Sequence, residues 1–271
     1  MYYPKIAVYA INNAYNISLK HNKMVKKTLI PLFLIFMLNL SFAQEWNSQF
    51  GSPVVVLTEY NPWEMVIGSD VPTIAIYKSG NIIYQLPKKK MSKFYTVNLD
   101  SIQTQNLINS LGITDSLSKM TAYVETTSLT DQPTNELILN FDQPNTKGVY
   151  GDLRNSNAAR AKTPSYFLNV FDKLINYKNK KATEWLPETI EVLLTDYNHS
   201  VETPKNWPEN WPNLDSETTI RRSEFLYSVY LSKSNFEEFL TLLNSLEENQ
   251  AVVLNGKKFS VSYRLPFPNL K

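Results

Sequence analysis

The chain has 271 residues, 27 basic against 25 acidic side chains, 43% apolar residues and no cysteine. The cysteine count excludes disulfides, thiol nucleophiles and Cys/His zinc sites, and two histidines exclude a multi-histidine metal centre. The whole chain carries +2, but the part after its predicted signal cleavage site carries −3, and a mildly acidic protein has no electrostatic footprint for nucleic acid.

The first organised stretch is residues 24–44, MVKKTLIPLFLIFMLNLSFAQ. Lys26 and Lys27 precede an uncharged apolar run over residues 28–40, and Ser41 and Ala43 place small side chains at positions −3 and −1 of a cleavage site before Gln44. This order predicts a secretory signal peptide over residues 24–43, cleaved between Ala43 and Gln44. The rival reading is an uncleaved single-pass anchor. It needs about 20 apolar residues, whereas this run has 13 and contains Pro31 and Asn39. With no cysteine to acylate, the lipoprotein route is closed. Residues 1–23 are rich in Asn and Tyr without a clear period. They read as sequence upstream of a true start at Met24, or as an extended n-region lost with the signal. Cleavage removes five lysines and no acid, so 22 basic residues face 25 acidic ones and the exported part carries −3. It also removes His21 and leaves His199 alone.

The 228 residues after the cleavage site suffice for one large domain or two small ones. Residues 54–57 form a short β-branched run. Residues 72–86 read as a hairpin turning at Lys78-Ser79-Gly80-Asn81, and residues 94–99 as a further strand. Asp100 is placed to cap a helix over residues 101–111, with Gln103 at N3. Strands are predicted at residues 121–126, 136–141 and 146–151. Thr163 is read as the cap of a helix with Pro164 at N1, presenting Tyr166, Phe167, Val170, Phe171, Leu174 and Ile175 on one face. The lysine-rich segment at residues 177–181 then marks a candidate boundary between an N-terminal α+β domain (44–181) and a C-terminal one (182–271), which can equally pack as one unit.

In the last section, residues 189–195 read as a strand and residues 198–222 as a long proline-rich loop. Residues 225–231 form another strand, and Ser234 with Glu237 reads as a capping box for a helix through Leu246. Asn255-Gly256 is the strongest hairpin signal, joining residues 251–254 to 258–264. The strand-then-helix stretch 94–111 also resembles 226–246. Both helices end in an apolar-Asn-Ser-Leu sequence, Ile108 to Leu111 and Leu243 to Leu246, through duplication or through convergence on one amphipathic pattern. Hairpins followed by helices predict an α+β fold: antiparallel sheets with about three amphipathic helices packed on them.

Catalytic motifs are few. His199 lies three residues after Asp196, but no G-x-S-x-G elbow presents a serine, and no glycine-rich loop cradles a phosphate. Ser116-Leu117-Ser118-Lys119 matches the S-x-x-K of penicillin-interacting enzymes without its companion elements, and reads as a solvated turn. Glu184, Glu188, Glu191 and Asp196 cluster around one strand and supply the only carboxylate pair considered for acid–base hydrolysis of glycan or peptide. Trp207 and Trp211, each followed by proline, are the candidate ligand-binding residues. Exposed, they stack on a sugar ring or a partner's proline; buried, they pin the loop to the sheet. Trp46, Trp63 and Trp185 read as packing residues, and Lys88-Lys89-Lys90 and Lys180-Lys181 as solvated charges. No cofactor and no metal ligand set is expected.

The pieces Trp207-Pro208-Glu209-Asn210-Trp211-Pro212, Asn255-Gly256-Lys257-Lys258 and Tyr263-Arg264-Leu265-Pro266-Phe267-Pro268 resemble the C-terminal half of an uncharacterised bacterial exported protein family. Val71-Pro72-Thr73 and Trp185-Leu186-Pro187-Glu188 fit the same pattern, and the Ala-Gln ending of the signal resembles Bacteroidota export signals. The resemblance implies export and no activity, ligand or catalytic residue. The sequence therefore predicts a periplasmic or secreted, non-enzymatic protein that meets a protein or glycan partner in the cell envelope. The alternatives are a carboxylate-pair hydrolase and an envelope protein tethered to the membrane through an uncleaved signal.

Overall fold

Val55, Val56 and Leu57, on one strand near the start of the fold, are all buried, and this is possible only if both faces of that strand are covered. The computed structural model, which describes residues 46–60, 62, 70–86 and 93–270, shows how. The signal segment, with Ala43 and Gln44, and Trp63 and Lys88-Lys89-Lys90 lie outside the described residues.

The first half builds an eight-stranded sheet. Its strands are β1 (Pro53–Tyr60), β2 (Ile74–Tyr77), β3 (Asn81–Leu86), β4 (Lys93–Asn98), β5 (Tyr123–Glu125), β6 (Thr134–Asn140), β7 (Pro144–Tyr150) and β8 (Thr183–Glu184), in the order β5-β7-β6-β1-β2-β3-β4-β8. All pairs are antiparallel except β5 with β7. The predicted hairpin is β2–β3, with Ile74 opposite Tyr84 and Ile76 opposite Ile82. Gly80 in its turn has φ +88 and lies so close to the Leu99 carbonyl that a Cβ would overlap it at 2.1 Å.

One face of this sheet carries Val55, Leu57, Ile74, Ile76, Ile82 and Val97 and packs against helices α1 (Ser101–Leu111), α2 (Asp115–Ser118), α3 (Asn157–Lys162) and α4 (Ser165–Ile175) through Leu111, Leu117, Ala159, Phe167, Val170, Phe171 and Leu174. The Asp100–Gln103 capping box forms as expected. Thr163 does something different: its hydroxyl donates to the Ala159 carbonyl at 2.9 Å and closes α3, a helix the sequence reading missed. Pro164 is the N-cap of α4. Six residues whose apolar members are Ala158, Ala159 and Ala161 show no strong amphipathic stripe, so α3 has little periodicity to detect.

The opposite face carries Val56, Ala75, Tyr77, Ile83 and Phe94 and joins the inner face of a second, six-stranded sheet. That sheet contains β9 (Thr189–Asp196), β10 (Lys205–Asn206), β11 (Ile220–Arg221), β12 (Leu226–Ser232), β13 (Val252–Leu254) and β14 (Lys257–Arg264), in the order β10-β13-β14-β9-β12-β11, with only β10–β13 parallel. Ile190, Val192, Leu194, Val229, Leu231 and Phe259 are its contribution to the shared core. Helix α5 (Phe236–Ser245) lies on the same face, with Phe236 and Phe239 edge-on to Tyr263 at 5.7 and 5.5 Å. The expected Ser234–Glu237 capping box does not form. A short 3-10 turn over Lys233–Asn235 precedes the helix, and its cap is Ser232, whose hydroxyl accepts from the Ser234 N–H. The fold is α+β, and the described residues make one compact unit.

Residues 265–269 pack into and over this core. Phe267 meets Phe94 at 5.8 Å and Trp185 at 5.2 Å, the buried Tyr77 hydroxyl donates to the Pro268 carbonyl at 2.9 Å, and the Asn269 side chain bonds Asn47 and Gly51. Burial pushes the Tyr77 phenol pKa up, so it stays a neutral donor. Phe267→Ala is expected to cost about 3–5 kcal/mol and Tyr77→Phe about 1 kcal/mol. Denaturant midpoints measured at constant m-value give both numbers.

Candidate functional site

The acidic cluster singled out in the sequence lies on and beside β9, the second sheet's central strand, and strand alternation sends Glu191 to the face opposite Ile190 and Val192. There its side chain is only 2% exposed. Ser228, fully buried on β12, donates to Oε1 at 2.6 Å; Arg222 Nη2 donates to the same oxygen at 2.9 Å; and Arg264 Nε, directly across on β14, donates to Oε2 at 2.5 Å. Arg222 also donates to the Ser228 and Tyr230 hydroxyls. Burial alone would raise the Glu191 pKa. The bonds from Arg264 and Ser228, with the charges of Arg264 and Arg222, outweigh it and hold the carboxyl below its ordinary range. Glu191 is thus an ionised acceptor at neutral pH, unsuited to be a general acid. Tyr230 is shifted up by burial and by the Glu191 charge.

The other three acids are engaged separately. Glu184 pairs with Lys93 across the β4–β8 edge at 2.6 Å, and Glu188 with Lys233 at 3.0 Å. Asp196 accepts from the Asn198 backbone and side chain at 3.0 and 2.9 Å. Each carboxylate has its own partners and its own place on or beside the strand. Among the described residues no group of three or more His, Asp or Glu could hold a metal ion. Ser116 and Lys119 stand exposed on and just after one-turn α2, and His199 is exposed with its ring edge-on to Tyr197 at 4.6 Å.

Trp207 and Trp211 are 5% and 3% exposed. Their rings meet edge to face at 5.1 Å and both reach Phe239, so most of each indole face is already covered. The Trp207 backbone N–H bonds Val253 and its indole N–H donates to the Pro212 carbonyl at 2.9 Å, which pins the proline-rich loop to β13. The Trp211 indole N–H has no hydrogen-bond partner among the described residues; its environment is aromatic. Beside the pair is a shallow cleft of about 230 Å³ bordered by Pro208, Glu209, Asn213, Val253 and Asn255.

A second cleft, of about 170 Å³, escaped the sequence reading. Arg154 forks onto Glu59 with bonds of 2.6 and 2.7 Å, the Thr73 hydroxyl adds a third at 2.7 Å, and Asp152 accepts from the backbone N–H groups of Arg154 and Asn155. Tyr60, at its rim, donates to Glu136 at 3.0 Å; burial first, then the Glu136 charge, pushes its phenol up to about 12. Glu59 and Arg154 are 95 residues apart, and no local motif announces such a pair. Both carboxylates in this cleft are taken up by bonds that hold the turn after β7.

Comparison of the chain with protein-family models, with curated proteins and with solved structures finds no match. The site's chemistry therefore rests on its geometry.

Because the Glu191 pKa is depressed on folding, its stabilisation is present above the ordinary carboxylate range and is lost as pH falls through its folded value. Glu191→Gln is expected to lower stability at pH 7 by about 2 kcal/mol, less than for a fully buried pair because both arginines remain about a third exposed to water. The gap between variant and wild type should close in acid. Urea unfolding at pH 7 and pH 3 measures it.

Proposed function

We propose that the mature chain is exported to the periplasm or medium and binds a protein or glycan component of the cell envelope through its surface loops, without chemical turnover. The observation that carries this reading is the state of its acids. Glu184, Glu188, Glu191 and Asp196, the set on which a hydrolase would depend, are each committed to different ion pairs or turn bonds. A retaining or inverting hydrolase needs two carboxyls facing one another across a substrate, about 5–9.5 Å apart. The three-part segment at residues 24–44 supports export, and the absence of cysteine suits a chain whose stability comes from its core alone.

Leu129, Val201 and Phe225 are among the large apolar side chains that loops leave in water. They are the contact points favoured for the partner, since exposed apolar groups lose unfavourable hydration on docking. The test is crosslinking in intact cells, recovery of the protein from periplasm and medium, and N-terminal sequencing of the recovered chain. The expected result is a chain beginning at Gln44, crosslinked to an envelope component, with the yield reduced by Leu129→Ser, Val201→Ser or Phe225→Ser. A chain beginning at Met24 and held in the membrane fraction would replace export with tethering. A correctly processed chain without a crosslinked partner would contradict the binding role.

A further inference from the structure

Asn255-Gly256 is the one Asn-Gly pair in the sequence. It forms the exposed two-residue turn between β13 and β14, both residues with positive φ (+48 and +74), and a Cβ on Gly256 would meet nothing within 4 Å. The glycine is there for the backbone conformation of the turn. The Asn255 side chain does a second job. Its Oδ1 accepts from the Leu214 N–H at 3.2 Å and its Nδ2 donates to Asp215 Oδ2 at 2.7 Å, so one amide clasps the end of the tryptophan loop to the hairpin. Leu214 packs partly buried on the shared core behind this clasp, and the cleft beside Trp207 and Trp211 reaches Asn255.

We propose that Asn255 is a deamidation site whose conversion opens this clasp irreversibly. The Gly256 backbone nitrogen, unhindered by a side chain, attacks Asn255 Cγ. The Cγ–Nδ2 bond breaks, ammonia leaves and a succinimide forms. Water then opens either C–N bond of the ring, leaving aspartate or isoaspartate at 255. The sequence consumes one water, releases one ammonia and changes no oxidation state. While the clasp is closed, Leu214 and Asp215 hold the amide by both ends and restrain it from turning toward Gly256. Attack therefore proceeds from the locally open state.

The product cannot reclose. The donor to Asp215 is gone, and a carboxylate now stands where an N–H lay 2.7 Å from Asp215 Oδ2, so attraction becomes like-charge repulsion. Isoaspartate also lengthens the backbone of a turn that has only two residues. The loop around residues 213–215 is released, Leu214 is uncovered and the cleft beside the tryptophan pair widens. The hairpin is thus a clock on the molecule's age, and this holds wherever the chain resides.

The purified mature chain, residues 44–271, is incubated at mildly alkaline pH, and peptide mass mapping follows conversion at 255 over time. Asp215→Ala, which removes one end of the clasp, should deamidate about fivefold faster than wild type, the increase in open population expected from losing one hydrogen bond. Asp215→Asn keeps an acceptor and should stay near the wild-type rate. Asn255→Asp should show greater collisional quenching of tryptophan fluorescence and faster exchange of the Leu214 amide, with circular dichroism unchanged. Conversion at 255 no faster than at other asparagines, equal rates in Asp215→Ala and wild type, or wild-type quenching and exchange in Asn255→Asp would each overturn the proposal.

Discussion

Everything in this molecule depends on the first sheet being covered on both faces. Val56, Ala75, Tyr77 and Ile83 point one way and Val55, Leu57, Ile74, Ile76 and Ile82 the other, and neither set meets water. Helices satisfy one face. The other needs the second sheet, whose own inner residues Ile190, Val192, Leu194 and Val229 are equally apolar. With no disulfide to restrain the unfolded chain, stability rests on this apolar burial, at about 25 cal/mol per Å². The segment after β14 completes the arrangement: Leu265 and Phe267 enter the layer between the sheets, and Asn269 bonds Asn47, which lies just before β1.

This constraint explains how much of the fold could be read from the sequence. Elements with a local signal were legible: the β2–β3 hairpin, the Asp100 cap, the amphipathic stripe of α4 and the Asn255-Gly256 turn. Elements defined by distant partners were not. β8, β10 and β11 are two residues long and exist only because β4, β13 and β12 offer them an edge. The central role of β1 was equally hidden, because a run of β-branched residues does not say which strands will flank it; β6 does so from about 80 residues away. The Ser234–Glu237 box failed for a local reason, since Ser232 provides the cap at an intervening 3-10 turn.

The candidate site divides in the same way. Alternation along β9 correctly placed Glu191 opposite Ile190 and Val192, yet the two arginines that define its chemistry come from positions 31 and 73 residues away. Long-range pairing turned one acid of a set that resembles acid–base chemistry, Glu191, into a buried, ionised anchor, and left the others in separate pairs. The tryptophan pair underwent a similar change in meaning. Its spacing announced a special loop, and its burial against Phe239 makes that loop part of the core while leaving a shallow cleft at its side. The resulting molecule has two apolar layers, one on each face of the first sheet, ion pairs at the sheet surfaces and edges, and a loop attached through a hairpin amide.

The most direct test of the shared core is calorimetry of residues 44–271 with and without Ile83→Ala, a change on the first sheet's inner face. A shared core predicts one unfolding transition, with equal calorimetric and van't Hoff enthalpies, that moves as a whole to lower temperature in the variant. Two resolved transitions, of which Ile83→Ala moves only one, would contradict it.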